Sequence, residues 1–528
     1  MEKKYLLIFP FLFLLNSAII LASPPSIYDA IFECFQNHKI PKPQISEILY
    51  SPTNPSFPTI LQSTLRNRRF NSTATPKPAA IVTPVSESHV SAAVVCATAA
   101  GANLRIRSGG HDTEGSSYVS GETFVVVDMT NFRSVDVCLK DGTAWVDSGA
   151  ILGELYYEIW RKSNELAFPS GDCPTVGAGG IISGGGYGNL MRKYGLSIDH
   201  VIDARAVLAD GRILDRRSMG EDLFWAIRGG GAASFAVVLG FKIKLVPVPP
   251  LVTVFQVQKS SMEETIEAVY KYQQLSRTID DDLFIRFFIW PINSNKTTVA
   301  GTGFIGLFLG NATRLLSIMD SQFPELGLRL SDCREMPWIN SVLMWAGLNV
   351  EASPRVLLNR NPNSASFFKW KSDYVKTVIP KSVLKTMFDK VVEIRHVALG
   401  FNWYGGVMSR IPSSATAFPH RAGNLFKIQY LSRWDEDGEE IAQQYINATR
   451  QFHSFMTPFV SKNPREAYLN YHDLDLGIMN NSAQSYEQGR VYGLKYFKDN
   501  FDKLVKIKTK FDPNNVFRNE QSIPISPF

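Results

Sequence analysis

The sequence predicts an α+β protein in layered units, a ligand-holding unit followed by a sheet-rich one. Three observations carry this. From Ala79 to about Val246, short apolar runs alternate with helical stretches, as in strands and helices that share one core. Two glycine-dense turns interrupt that alternation: Arg107-Ser108-Gly109-Gly110-His111-Asp112, and Cys173-Pro174-Thr175-Val176-Gly177 running on to Ser183-Gly184-Gly185-Gly186-Tyr187-Gly188. Pro247, Pro249 and Pro250 then mark a boundary, beyond which strand candidates alternate with amphipathic helices.

The elements follow in order. Tyr5 to Ala22 is apolar after a basic start and gives way to Ser23-Pro24-Pro25, which reads as a secretory signal peptide over 1–22. Residues 25–75 look helical and then irregular. Ala80-Ile81-Val82, Asn103–Arg107, Phe124–Asp128 and Ala144–Val146 are strands; Ser86–Ala100 and Leu152–Ser163 are helices, the first capped by Ser86 or Ser88. Val201–Leu208 is a strand entering a hairpin-type turn at Ala209-Asp210-Gly211-Arg212. Asp222–Ile227 is helical and Val237–Val246 a strand. Beyond the prolines, the expected strands are Val252–Val257, Leu283–Ile289 and Thr302–Leu309. The expected helices are Met262–Leu275, Ala312–Gln322 and Lys381–Val391. The tail adds a helix over Tyr486–Phe501.

Composition narrows the function. The formal net charge of +6 is spread along the chain without a polybasic block, which argues against nucleic acid or an anionic membrane as partner. No stretch after Ala22 is long and apolar enough to span a bilayer. Sequons at Asn71, Asn295, Asn311, Asn447 and Asn480 are candidate glycan sites on surface loops. Five cysteines leave at least one outside intramolecular disulfides. Cys173, among glycines, is the natural odd one, while Cys34 and Cys96 flank the first segment and could staple it. The states of Cys138 and Cys333 are open. No CxxC spacing or histidine cluster supports a metal site.

The two turns have a chemistry of their own. Glycines expose successive N–H donors and let a ligand approach the main chain, as an anion such as a pyrophosphate requires. Neither turn is a Rossmann fingerprint: Gly177-Ala178-Gly179 is followed at the third position by Ile182, with no strand immediately before it. The turns therefore point to a phosphate-bearing ligand other than NAD. His111 and Cys173 add an imidazole and a thiol.

Longer motifs are more specific: RSGGHD (107–112), CPTVG (173–177), SGGGYG (183–188), DRRSMGEDLFWAIRGGG (215–231), FPHRAGNLFKIQY (418–430), AYLNY (467–471) with DLDLG (473–477), and DPNNVFRNEQSIP (512–524). Together they resemble the berberine bridge enzyme-like family of plant flavoproteins, in the vanillyl-alcohol oxidase superfamily; the cannabinoid synthases belong to the same family. The resemblance implies a two-subdomain FAD-binding domain of the vanillyl-alcohol oxidase type over 23–250, with its core at about 76–250. It implies a substrate-binding α+β domain with a large antiparallel sheet over 251–465, and a C-terminal segment, 466–528, that returns to the FAD domain. It also implies a disulfide between Cys34 and Cys96.

The same resemblance implies FAD held by two covalent bonds, from His111 to the flavin 8α carbon and from Cys173 to C6. Arg107, Ser108, Gly109, Gly110, Val176, Gly180, Ser183, Gly186, Tyr187, Val237, Tyr468 and Asn470 are the further cofactor-binding residues it implies. Tyr471 matches the family's catalytic base and Lys427 the lysine that favours its phenolate; a free phenol has a pKa of about 10. Gln429 stands where the ring-closing alkaloid enzyme has a glutamate base, and Arg286 matches a substrate-facing position. Val176 is small, and in this family a small residue there leaves room for O2 beside the flavin, where leucine closes it. Departures from the pattern are Thr113, Asp172, Ile181, Ala232, Ala236 and His472. Asp172 should oppose thiolate formation at Cys173.

The expected protein is a secreted or vacuolar monomeric FAD oxidase of a plant specialised metabolite (alkaloid, phenolic or allylic alcohol), with or without oxidative ring closure, and with O2 as acceptor. The alternatives are a non-redox cyclase or Diels–Alder-type catalyst on the same scaffold, a carbohydrate oxidase, and a binding protein with vestigial activity. Sequence alone leaves sugar, monolignol, alkaloid and terpenophenol open as substrates.

Overall fold

The computed structural model describes residues 25–259, 261–293, 297–360, 365–480 and 485–527. The expected signal peptide and the Asn295 sequon lie outside them.

Three sheets of four or more strands frame the molecule, beside a two-stranded pairing of Leu166–Ala167 with Val246–Pro247. In the first, Ala80–Val82, Phe124–Asp128 and Asn103–Arg107 run parallel, with Leu49–Tyr50 antiparallel at the edge. Both faces of Phe124–Asp128 are buried, so it reads as a continuous apolar run. The helix Glu87–Ala99 packs beside it, capped by the Ser86 hydroxyl accepting from the His89 N–H. The Cys34–Cys96 disulfide joins this helix to Ile27–Asn37. The Cys34 and Cys96 sulfurs lie close to His38, but they are bonded to each other. Cys138, Cys173 and Cys333 are free thiols.

The second sheet is antiparallel, in the order Val135–Cys138, Thr143–Asp147, Val237–Lys244, Val201–Val207, Ile213–Leu214. The hairpin turn at residues 209–212 is present, closed by the Leu208 N–H donating to Arg212 O. The expected helix before the Gly229 run begins earlier, at Arg216, and is kinked at Gly220.

The third sheet has seven antiparallel strands, ordered Cys333–Met336, Val252–Val257, Thr298–Phe308, Leu283–Asn293, Ala398–Trp403, Phe426–Trp434, Phe367–Val375. Helices Met262–Leu275 and Lys381–Ile394 cover one face, burying Ile285, Phe287, Phe401, Phe426 and Ile428. Side chains alternate between faces along a strand, so Arg286, Phe288, Lys427, Gln429 and Leu431 are carried on the other. The register aligns Arg286 with Asn402, Asn402 with Lys427, and Lys427 with Tyr374.

The chain then turns back to the first two sheets. Asn470 donates to Ile181 O and Lys508 to Ser234 O. The tail forms two helices, Ser485–Phe497 and Phe501–Phe511, with a short 3-10 turn between them. The first of these ends at Phe497, short of the Phe501 expected from the sequence.

Among the sequons, Asn71 and Asn480 are exposed outside helices and strands. Asn311 is exposed but caps a helix, accepting from the Arg314 N–H at 2.9 Å. Asn447 lies inside the helix Glu439–Phe455, not in a loop as expected.

Candidate active site

A cavity of about 620 Å³ separates the seven-stranded sheet from the other two sheets, within the size range of small-molecule sites. The two glycine turns form one wall and pack against each other. A Cβ on Gly109 would strike the Gly177 main chain, and one on Gly177 would strike the Ser108 hydroxyl. Gly110 has φ +66°, with its Cα against the Thr64 carbonyl. Only glycine allows this approach.

His111 and Cys173 meet at one hydroxyl. Thr175 Oγ1 lies 3.0 Å from His111 Nε2 and 3.5 Å from Cys173 Sγ. Burial, helped by the nearby Arg66 guanidinium, pushes the imidazole down to about 3, so the ring is neutral and its nitrogen lone pair available at neutral pH. Thr175 lies within CPTVG, but nothing in that string marks it as the residue that joins the two.

Ser108, Gly109, Gly110, Val176, Gly180, Ser183, Tyr187, Tyr468 and Asn470 line the cavity as expected, with Arg286, Gln429 and Tyr471. Three residues expected at the cofactor do not. Arg107 is fully buried and bonded to Asp128, at 2.5 and 3.1 Å, and to the carbonyls of Ile60 and Leu61. Its position in the strand Asn103–Arg107 turns it into the fold. Val237 packs in the core of the first sheet while Val238 lines the cavity, because neighbouring strand residues face opposite ways. Gly186 acts through its N–H, which donates to Tyr468 Oη at 3.2 Å.

Asp172 was expected to act on Cys173. It is instead paired with Arg286, whose Nη1 lies 2.6 Å from its Oδ2, so the charge beside the thiol is neutralised from across the cavity. Ile181 points no polar group at the cavity; its carbonyl accepts from Asn470 Nδ2 at 3.0 Å. Thr113 hydrogen-bonds the carbonyl of His472, whose ring nitrogen stands 3.3 Å from Asp112.

Tyr187 of the second turn meets Tyr471, Gln429 and Lys427 across the cavity. Tyr471 donates to Gln429 Oε1 at 2.9 Å, which leaves the Tyr187 hydroxyl to donate to the Tyr471 oxygen. Lys427 Nζ is buried without a hydrogen-bond partner among the described residues. It lies 3.3, 4.1 and 4.4 Å from the ring centroids of Tyr187, Tyr471 and Tyr468. Burial, then the Arg286 charge, lowers its pKa well below the usual lysine range; the three ring faces favour the ammonium. Burial and the neighbouring Tyr187 raise the Tyr471 phenol well above its ordinary value, and Arg286 opposes this. Trp370 stacks edge-on to Tyr471, and Phe368 lies against Trp370. No sequence signal marked these two rings.

The cavity fits a flavin dinucleotide. The Ser117 and Ser148 hydroxyls line it, buried and without a hydrogen-bond partner among the described residues, and such groups call for a polar ligand. A Cβ at Gly180 would enter open space on the same wall.

Fold and site thus define an FAD-linked oxidoreductase acting on small molecules. Residues 78–216 match the FAD binding domain family model, and residues 467–524 the model described as "Berberine and berberine like". The chain is 50% identical to Berberine bridge enzyme-like 21 of Arabidopsis thaliana over 530 residues, 99% of this chain and 98% of that protein. The structure of the Arabidopsis thaliana berberine bridge enzyme-like protein 28 superposes with a TM-score of 0.89 at 43% identity, covering 94% of this chain and 100% of that one. Berberine bridge enzyme of Eschscholzia californica gives 0.88 at 36% identity, covering 94% and 99%. A grass pollen allergen described as having glucose dehydrogenase activity gives 0.89 at 43% identity, covering 94% and 99%. The chain belongs to the berberine bridge enzyme-like family.

Proposed function

We propose that this protein is an oxidase of a plant specialised metabolite carrying an alcohol, phenolic, allylic or alkaloid in nature, with Tyr471 as base and O2 as acceptor. The observation that carries the reading is the Tyr187–Tyr471 hydroxyl pair over buried Lys427 on the cavity wall.

FAD, when bound, supplies the hydride acceptor, and His111 and Cys173 are the residues that would attach it. A neutral His111 suits that role, since an imidazolium has no free lone pair. On the substrate side, hydride loss from an alcohol carbon needs its hydroxyl proton removed. An ammonium at Lys427, which the three ring faces favour, lowers the cost of the Tyr471 phenolate through its field. The Tyr187 hydroxyl, donating to the Tyr471 oxygen, fixes the direction of the phenol, while the Arg286 charge favours its phenolate. Gln429 cannot take a proton and orients Tyr471 by accepting from it. Trp370, Phe368 and Phe288 supply flat apolar surface for an aryl or allylic skeleton.

Val176 lines the cavity three residues past Cys173, which supports O2 as acceptor. In the grass pollen allergen, the wild type is described as a glucose dehydrogenase and an isoleucine-to-valine variant as a glucose oxidase. A companion variant also receives a histidine five residues further on, the spacing that separates Val176 from Ile181. The same relatives support the carbohydrate oxidase as second reading; the aromatic rings beside Tyr471 favour the first.

We further propose entry into the secretory pathway, to the apoplast or vacuole, as a glycosylated monomer. The Cys34–Cys96 disulfide fits an oxidising compartment. No helix among the described residues is long and apolar enough to cross a membrane.

Anaerobic mixing with aryl and allylic alcohols, followed by air, tests the reading. Bleaching of the yellow colour and rapid recovery with H2O2 release are expected. Bleaching by glucose and by none of the alcohols would establish the carbohydrate reading instead.

A further inference from the structure

We propose that Asp172 is a specificity-determining residue: by holding Arg286 in an ion pair on the cavity wall, it makes the site take neutral substrates and turn away carboxylates. The inference rests on reading the cavity as the site of alcohol oxidation.

Arg286 is carried on the cavity face of the seven-stranded sheet, beside the tyrosine pair. It is fixed three ways. Nη1 donates to Asp172 Oδ2 at 2.6 Å, Nε donates to Asn402 Oδ1 at 2.5 Å, and the guanidinium carbon lies 5.0 Å from the Trp345 ring centroid. Both charged side chains are largely buried, at 12% and 15% exposure. A fixed, half-desolvated guanidinium is the usual protein device for gripping a carboxylate through paired N–H donors. Here the chain supplies that carboxylate itself, from the residue before Cys173.

A substrate acid gripping Arg286 through two N–H donors would have to take one from Asp172 or Asn402, since Nη1 and Nε are already engaged, and at Nη1 it must displace Asp172. That leaves a buried carboxylate without its partner, the costly outcome for a buried pair. An alcohol or phenol requires no such exchange. Asp172 and Arg286 stand on opposite walls of the cavity, so the pair also ties the anchoring turn to the substrate sheet. Asp172 and a substrate carboxylate therefore compete for the same guanidinium.

The test is isothermal titration calorimetry of the holoenzyme, reduced beforehand with dithionite and kept without oxygen so that the alcohol binds without reacting, with trans-cinnamyl alcohol and trans-cinnamate at pH 7, which share a skeleton and differ in charge. The wild type is expected to bind the alcohol at least tenfold more tightly. In Asp172→Asn, cinnamate should tighten at least tenfold while the alcohol changes less than threefold. Adding Arg286→Met should abolish that gain. Asp172→Ser serves if the asparagine variant folds poorly, and the wild-type ratio needs no variant. Equal wild-type affinities, or a cinnamate affinity indifferent to position 172, would overturn the proposal. Wild-type enzyme that binds neither compound would overturn the alcohol-site reading too, which separates the two failures.

Discussion

Lys427 Nζ stands 4.1 Å from the centroid of the Tyr471 ring, over its face and not at its hydroxyl. The cation therefore acts on Tyr471 through its field. Removing it in Lys427→Met raises the cost of the phenolate, so the base form appears only at higher pH. The acid limb of the kcat/KM profile should move to higher pH, and Tyr471→Phe should cost about 10²–10⁴ in kcat. Stopped-flow flavin reduction across pH checks both; an unmoved limb in Lys427→Met would remove the lysine from the mechanism.

His111 and Cys173 share Thr175, so both proposed attachment points lie within reach of one ring edge. Denatured wild-type protein should keep its yellow colour, and digestion should yield one flavin joined to peptides containing His111 and Cys173. His111→Ala should leave only the cysteine peptide, and Cys173→Ala only the histidine peptide. Mass spectrometry of the yellow peptides reads the result.

Val176→Leu adds a methylene at the cavity wall. Reoxidation by O2 should slow at least tenfold while anaerobic reduction by substrate changes little. Following the flavin absorbance after reduction and aeration separates the two rates.

Arg107 answers to stability. It is buried with Asp128, so Arg107→Met strands a carboxylate in the core. A loss of about 3–5 kcal/mol is expected, measured by urea unfolding.

Glu466 sets an acid limit. Burial alone would raise its pKa, but His420, Lys376 and Lys498 hold it down to about 2. A carboxylate lowered on folding adds stability that is complete above its unfolded value of 4.5 and is lost as pH falls towards 2. Glu466→Gln should flatten the stability curve over that window. Thermal unfolding between pH 5 and 2 checks it.

Much of the fold was legible because local pattern and tertiary role agreed. Met262–Leu275 and Ala312–Gln322 form with the bounds that their apolar spacing predicts. The glycine turns announced a ligand because only close main-chain approach requires so many residues without a Cβ. Arg107 and Val237 misled for the opposite reason. Arg107 opens the RSGGHD motif and Val237 precedes the cavity residue Val238, but the alternation of a strand turns each side chain away. Trp370 and Phe368 carried no signal, since an aromatic on an alternating strand looks the same on either face.

The sequence by itself determined the family, the paired glycine turns, the disulfide partners and the residue types able to hold a flavin and move a proton. These depend on local backbone requirements and on motifs that survive as strings. Tertiary structure decided which face each strand presents. Strand register placed Lys427 beneath three tyrosine rings, and the facing of two separate walls gave Asp172 its partner in Arg286. Such couplings join residues far apart in the chain, and a charge in a sequence has no neutralising partner until folding brings one within bonding distance.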